Sequence, residues 1–209
     1  MRLCTEEFWN IMLDPSSFHK HNITDTCSVW NVLSSLLLYA RAKSAGVVFI
    51  CTRFVIYECL SKPRRQITAC ETELQKRLRI AQSNNDFQSY QLDIDDLQTV
   101  EILKCRKQLG MGELSSLALA LKTGQALLTD DQKARALARE VIRELDETIP
   151  NHPGHQTTPR LVGWLFFSGY LTDSDKEIVI QQHRAMNRPL EKYFCEMYTE
   201  ALRCRCMAR

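Results

Sequence analysis

Short apolar runs alternate with longer stretches of helical spacing along this chain. Leu33, Leu36, Leu37 and Tyr39 recur at helical spacing between Ser28 and Ala45, and the pattern stops at Gly46, a residue suited to a helix C-terminus. Val47 to Cys51 then reads as a buried strand. Arg53 to Leu60 reads as a short helix closed by Pro63, and the polar stretch Glu71 to Gln82 as a solvent-washed helix that lasts until Asn84-Asn85. Asp95 to Leu109 repeats the helical pattern through Leu97, Val100 and Leu103 before Gly110 and Gly112 interrupt it. The most regular stripe, Leu114, Leu117, Ala118 and Leu121, ends at Gly124; the apolar run ALLT and the helix-forming QKARALAREVIREL follow. Asn151 to Pro159 is the clearest loop, rich in Pro, Gly and His. Beyond it the pattern predicts only helices, over Arg160 to Ser168, Asp173 to Met186 and Pro189 to Cys206.

Strand and helix alternate through most of residues 22 to 145, which favours an α/β sandwich with a parallel sheet. With 209 residues and 44% hydrophobic content the chain is long enough for one substantial core and too short for two independent domains to be expected. The expected organisation is a core over residues 1–150 and a helical C-terminal extension over 151–209 packed on it. No apolar run approaches the roughly 20 residues that cross a bilayer, and MRLCTEEFWN lacks the basic start and apolar stretch of a signal peptide. A soluble, cytoplasmic protein with no membrane partner is therefore expected. Nine cysteines form an odd set without a CxxC pair, which points to reduced thiols rather than a disulfide framework.

The net charge of +2 neither demands nor excludes a polyanionic partner. Its distribution says more: basic residues cluster at Lys62-Pro63-Arg64-Arg65, at Lys104-Cys105-Arg106-Lys107 and in the last seven residues, Arg203 to Arg209. Each cluster suits phosphate binding near an acidic centre, and each equally suits a solvated helix face or a helix C-terminus.

Acids stand where the apolar runs end: Asp25 in NITDTCSVWN, Glu58 in FVIYEC, Glu113 in GMGELSSLALA, and Asp130 with Asp131 in ALLTDD. Taken singly they have plain roles. Asp25 and Asp130 or Asp131 precede helices and suit N-capping, Glu113 sits in a first turn that the macrodipole favours, and Glu58 suits an exposed helix position. Taken together, acids just past strand ends converge at one edge of a parallel sheet. Carboxylates held close stay ionised together only beside a cation, and oxygen-only ligands favour Mg²⁺ or Mn²⁺ over zinc. Such an ion suits phosphodiester hydrolysis by water, and the chain offers no convincing Ser-His-Asp or Cys-His arrangement for a protein nucleophile. Thr26, Ser28, Asn31 and Thr129 lie beside the acids, suited either to orienting ligands and water or to capping turns.

DTCSVWNVL, the lone Glu of FVIYEC and GELSSLALALKTGQALLTDDQKARALA together resemble the PIN-domain nuclease family, particularly its small prokaryotic members. PRLVGWLFFSGYLT and NRPLEKYFCEMY resemble the helical tail of a subset of that family. The resemblance implies a three-layer PIN-like sandwich and matches Asp25, Glu58 and Glu113 to the family's acidic positions one by one. The spacing of 18 between Glu113 and Asp131 favours Asp131 as the fourth acid, with Asp130 the alternative. It further implies a metal-dependent nuclease, most often acting on RNA, frequently a toxin with an antitoxin partner or a defence effector, and commonly a homodimer. The long charged stretch between Glu58 and Glu113 and the sequel WNVLSS depart from the family pattern.

The expected activity is thus an endoribonuclease in which Asp25, Glu58, Glu113 and Asp131, with Asp130 also able to bind the ion, hold Mg²⁺ or Mn²⁺, while Lys133 and Arg135 grip the nucleic-acid backbone. A nuclease acting on DNA and a non-catalytic PIN-like interaction module are the alternatives. A receiver-like switch lacks the required strand-terminal Lys. His152 and His155 are better explained as surface residues of a Pro-Gly loop than as a metal site, and a zinc site of Cys204 and Cys206 with Cys195 and His183 is disfavoured because residues two apart on a helix diverge. Cys27, Cys51 and Cys59 read as core, as do Trp164, Phe166 and Phe167; Phe8, Trp9 and Met12 form an apolar cluster before the first strand.

Overall fold

The computed structural model describes residues 14–145 and 152–207. Five strands form one parallel sheet: β1 (His21–Thr24), β2 (Val48–Thr52), β3 (Gln88–Tyr90), β4 (Ala126–Leu128) and β5 (His155–Gln156), in the order β3-β2-β1-β4-β5. Asn22 lies opposite Phe49 on one side and Ala126 on the other, so β1 is the central strand. The strand order reverses between β1 and β4, and at such a reversal an open α/β sheet leaves a crevice at its carboxyl edge.

The helices are α1 (Thr26–Ser34), α2 (Leu36–Ser44), α3 (Arg53–Leu60), α4 (Ala69–Ser83), α5 (Ile94–Arg106), α6 (Met111–Thr123), α7 (Gln132–Glu144), α8 (Thr158–Phe167), α9 (Asp173–Ala185) and α10 (Glu191–Met207). Strand side chains alternate between two cores, as a period of two requires. Phe49, Cys51 and Leu128 join a core built with α1, α2, α4 and the C-terminal helices. Ile23 and Leu127 join the opposite core, built with α5, α6 and α7. The result is an α/β sandwich of helices, sheet and helices, as the alternating pattern predicts. Helix α4 is solvent-washed only on one side, since Leu74, Leu78 and Ala81 form a buried stripe.

Three features depart from the sequence pattern. The single helix expected from Ser28 to Ala45 is two helices, because Ser35 is extended (φ −119°, ψ 112°) and its hydroxyl accepts from Leu38 N at 3.0 Å. The same hydroxyl donates to Gln182 at 2.6 Å, and Arg77 donates to the helix-end carbonyls of Leu33 and Ser34, so the break is satisfied on both sides. Strand β3 carries no apolar run, and edge position explains why: two of its three residues are exposed. Strand β5 lies within the expected loop and pairs with β4 through Leu127 and His155. Residues beyond 151 therefore contribute a strand as well as helices.

Gln156 anchors that strand. It is 1% exposed, accepts from His19 N at 2.8 Å and donates to Asn22 Oδ1 at 2.7 Å, tying the entrance of β1 to β5. Trp164 and Phe166 of α8 are buried and Phe167 packs against the same core, each buried ring contributing roughly 1.5–3 kcal/mol by area. The Phe8, Trp9 and Met12 cluster lies outside the described residues. Among the described residues no helix is long and apolar enough to cross a membrane.

Candidate active site at the carboxyl edge of the sheet

Strand β1 ends at Thr24, and Asp25 turns the chain into α1 as its N-cap, with Oδ1 accepting from Ser28 N at 2.8 Å. Its other oxygen accepts from Thr129 Oγ1 at 2.5 Å across the β1–β4 crevice. Asp25 is wholly buried, and burial pushes its carboxyl up to about 7; the two hydrogen bonds pull it back, and the Asp130 charge adds to the rise. Thr129 Oγ1 in turn accepts from Asp131 N at 3.2 Å, so one hydroxyl joins the ends of β1 and β4.

The two acids after β4 do different work. Asp130 is tied down by Thr158 N at 2.9 Å and Thr158 Oγ1 at 2.5 Å from α8, by Asn31 Nδ2 at 2.8 Å and by Ser28 Oγ at 3.3 Å from α1. It clamps α1, β4 and α8 together. Asp131 caps α7, with Oδ1 accepting from Ala134 N at 2.8 Å.

Glu58 reaches the crevice from α3. Thr26 Oγ1 donates to its Oε2 at 2.6 Å, Gly112 N donates to its Oε1 at 3.3 Å, and Lys62 Nζ lies 3.8 Å from Oε1. Glu113, in the first turn of α6, stands beside it. The turn Gly110-Met111-Gly112 is what lets the two carboxylates approach. A Cβ on Gly112 would lie 2.3 Å from Glu58 Oε2, and one on Gly110 2.3 Å from Glu113 Oε2 and 3.6 Å from Glu58 Oε1. Burial raises the Glu113 carboxyl above its ordinary value, and repulsion from Glu58 and Asp131 adds to the rise. Glu113 Oε2 is buried and has no hydrogen-bond partner among the described residues.

The five sequence-predicted acids therefore form two linked groups. Glu58 and Asp131 both repel Glu113 at the mouth of the crevice, and Asp25 with Asp130 lies behind them; the Thr129 hydroxyl joins Asp25 to the Asp131 backbone, and Thr26, next to Asp25 in the chain, holds Glu58. Among the described residues no three His, Cys, Asp or Glu side chains are positioned to hold a metal ion as they stand. Thr26, Ser28, Asn31 and Thr129 all hydrogen-bond to acids, which makes them orienting groups as well as turn formers.

The cations fall out differently from the sequence expectation. Arg135 approaches His155, whose imidazole is driven down to about 4 by burial and by Arg139, Arg135 and Arg160. Lys133 is exposed on the first turn of α7. The lysine paired with one of the site's acids among the described residues is Lys62, one helical turn beyond Glu58, and it belongs to the first basic cluster. The other clusters serve the fold: Lys104 pairs with Glu101, Arg106 with Glu144 and Arg203 with Glu200, while Arg205 donates to the carbonyl of Phe167 at 2.9 Å. Sequence reasoning also missed Arg188, in the turn between α9 and α10, whose charge reaches the thiols of Cys27 and Cys59. The Cys27 thiol is pushed up to about 12, first by burial and then by Asp25, so it is no thiolate nucleophile. His183 is buried with its ring nitrogens 2.9 Å from the carbonyls of Val179 and Asn31.

No protein-family model matches the chain, and no curated protein and no solved structure matches it.

Proposed function

We propose that the chain is a metal-dependent nuclease of the PIN type that hydrolyses phosphodiester bonds, with RNA as its principal substrate. The observation that carries this reading is the Glu58–Glu113 pair. Two carboxylates share a glycine-lined turn, one has a buried oxygen without a partner among the described residues, and both stand at the strand-order reversal of a parallel sheet. Folding does not by itself favour such crowding of like charges, so the pair is best explained by a cation.

The donor set suits a hard divalent ion, since it consists of carboxylate oxygens. Glu58, Glu113 and Asp131 would hold Mg²⁺ or Mn²⁺ at the mouth of the crevice, with Asp25 behind them. When bound, the ion supplies Lewis-acid activation of water and neutralises charge on the phosphodiester. The chain's own residues do the rest: Thr26 fixes the Glu58 carboxylate, Thr129 fixes Asp25 and the start of α7, and Lys62 offers a positive charge to a phosphate. Asp131 is the preferred fourth acid because Asp130 is spent on four hydrogen bonds.

Purified protein with Mn²⁺ is expected to cleave single-stranded RNA, and Glu113→Gln to keep the fold and lose that activity. Equal cleavage by the variant would overturn the assignment. A toxin or defence role, a homodimeric state and an antitoxin partner follow only from the family resemblance. A different observation favours the interaction-module alternative: both Asp25 oxygens are already engaged, and no three-ligand group is preformed. That alternative gains if no RNA or DNA is cut with either metal while the protein still binds a partner chain.

A further inference from the structure

A cavity of about 590 Å³ opens beside Glu58, a size typical of small-molecule sites. Arg53, Phe54, Tyr57 and Glu58, four of its lining residues, come from a single face of α3, where residues four apart stand one above the other. Phe54 and Tyr57 belong to neither hydrophobic core, and neither ring stacks on another aromatic among the described residues. Tyr57 is 50% exposed. Met111 completes the apolar wall from the same glycine-flanked turn that seats Glu58 and Glu113. Arg53 and Lys62 put two cations at the opening.

A wall of two aromatic rings and a methionine calls for a flat, apolar body, and the flanking cations call for anions attached to it. A nucleobase on its phosphate backbone meets both requirements, whereas an apolar protein side chain would leave Arg53, which has no ion-pair partner among the described residues, unmatched; Lys62 already has Glu58 beside it. We propose that this cavity is a nucleotide subsite. It receives one unpaired base of a single-stranded nucleic acid against Tyr57 and Phe54, while Arg53 and Lys62 contact the phosphates on either side. The adjoining phosphodiester is thereby presented to Glu58 and Glu113. A base held in a duplex cannot enter, so the cavity selects for single strands. This inference rests on the phosphodiesterase reading for its purpose but not for its chemistry.

The test uses the full chain in a Glu113→Gln background with Mg²⁺, so that binding is read without turnover. Fluorescence anisotropy follows short single strands of RNA and of DNA, the duplex of the same sequence, and a strand carrying one abasic position. Tyr57→Ala is expected to weaken single-strand binding roughly tenfold or more, and Tyr57→Phe to retain it, because stacking needs the ring and not the hydroxyl. A 2-aminopurine placed in the strand should be quenched by the parent and not by Tyr57→Ala. Because the Tyr57 ring is half exposed, an unchanged thermal midpoint should accompany the loss. Single-strand binding that is indifferent to Tyr57, duplex binding as tight as single-strand binding, or an equal loss for the abasic strand would each overturn the subsite. The two readings separate cleanly. Cleavage by the wild type with Tyr57-independent binding sinks only the subsite, and Tyr57-dependent binding without cleavage under any metal sinks only the nuclease.

Discussion

Thr26 donates its hydroxyl proton to Glu58 Oε2 at 2.6 Å, joining α1 to α3 across 32 residues of sequence. The bond aims a carboxylate from a helix over β2 toward the end of β1. Thr26→Val removes the donor while keeping the shape. Its expected effect is a loss of about 10- to 100-fold in metal affinity or activity, the usual consequence of deleting a group that orients a ligand. Thr26→Ser should recover most of it. Isothermal titration with Mn²⁺ and kcat/KM on single-stranded RNA are the measurements, and an unchanged metal affinity in Thr26→Val would count against the role given to this bond.

Gly112→Ala and Gly110→Ala should separate stability from function. Neither position has a positive φ, so alanine is acceptable to the backbone, and the obstruction is the carboxylate tip of Glu58 or Glu113, joined at Gly112 by the Thr26 hydroxyl at 2.8 Å. The helix start should stay within about 1 kcal/mol of wild type by urea unfolding. Activity should fall sharply, because each methyl group displaces an acid from the crevice. A variant that kept full activity would show that the approach of these carboxylates is not required.

Asp25 gives a pH dependence with a definite sign. Its carboxyl is raised from 3.8 to about 7, so the folded protein holds the proton more tightly than the unfolded chain. The contribution to stability is fully present below pH ~4 and is lost as pH rises through the folded value near 7, by at most about 4 kcal/mol. Asp25→Asn retains a cap acceptor for Ser28 N and should remove this slope, making the protein more stable than wild type at pH 8. Urea midpoints between pH 5 and pH 8, roughly the window where the folded group titrates, check it. Added Mn²⁺ at pH 8 should restore stability to the wild type more than to Asp25→Asn.

Neighbouring aspartates should behave as opposites. Asp130→Ala strands Thr158 N, Thr158 Oγ1 and Asn31 Nδ2, and should cost roughly 2–4 kcal/mol of stability. Asp131→Ala loses a helix cap, about 1 kcal/mol, but should abolish metal-dependent activity. Thermal unfolding and an RNA cleavage assay on both variants decide the matter; the reverse pattern would make Asp130 the fourth ligand.

Much of this fold is legible in the sequence because apolar spacing reports local structure. Arg53 to Leu60 is a helix with those bounds, and the segment after Asp131 is a helix as its composition predicts. What spacing misses are elements whose cause is remote. Ser35 ends one helix and starts another partly because Gln182, 147 residues away, accepts its proton. Strands β3 and β5 are short and polar, and pairing with β2 and β4 is what makes them strands.

The site follows the same division. Its acids are visible as charges at the ends of apolar runs, and Lys62 is visible as the residue four beyond Glu58. The aromatic cavity is not, since Phe54 and Tyr57 look like ordinary helix residues until neither core claims them.

By itself the sequence determined the alternation of strand and helix and put every acid next to a buried segment, because both depend on local spacing. Only the tertiary structure decided which acids face the crevice and which are consumed by the scaffold. Asp130 finds its partners 28 and 99 positions away, and no local pattern encodes hydrogen bonds over such distances.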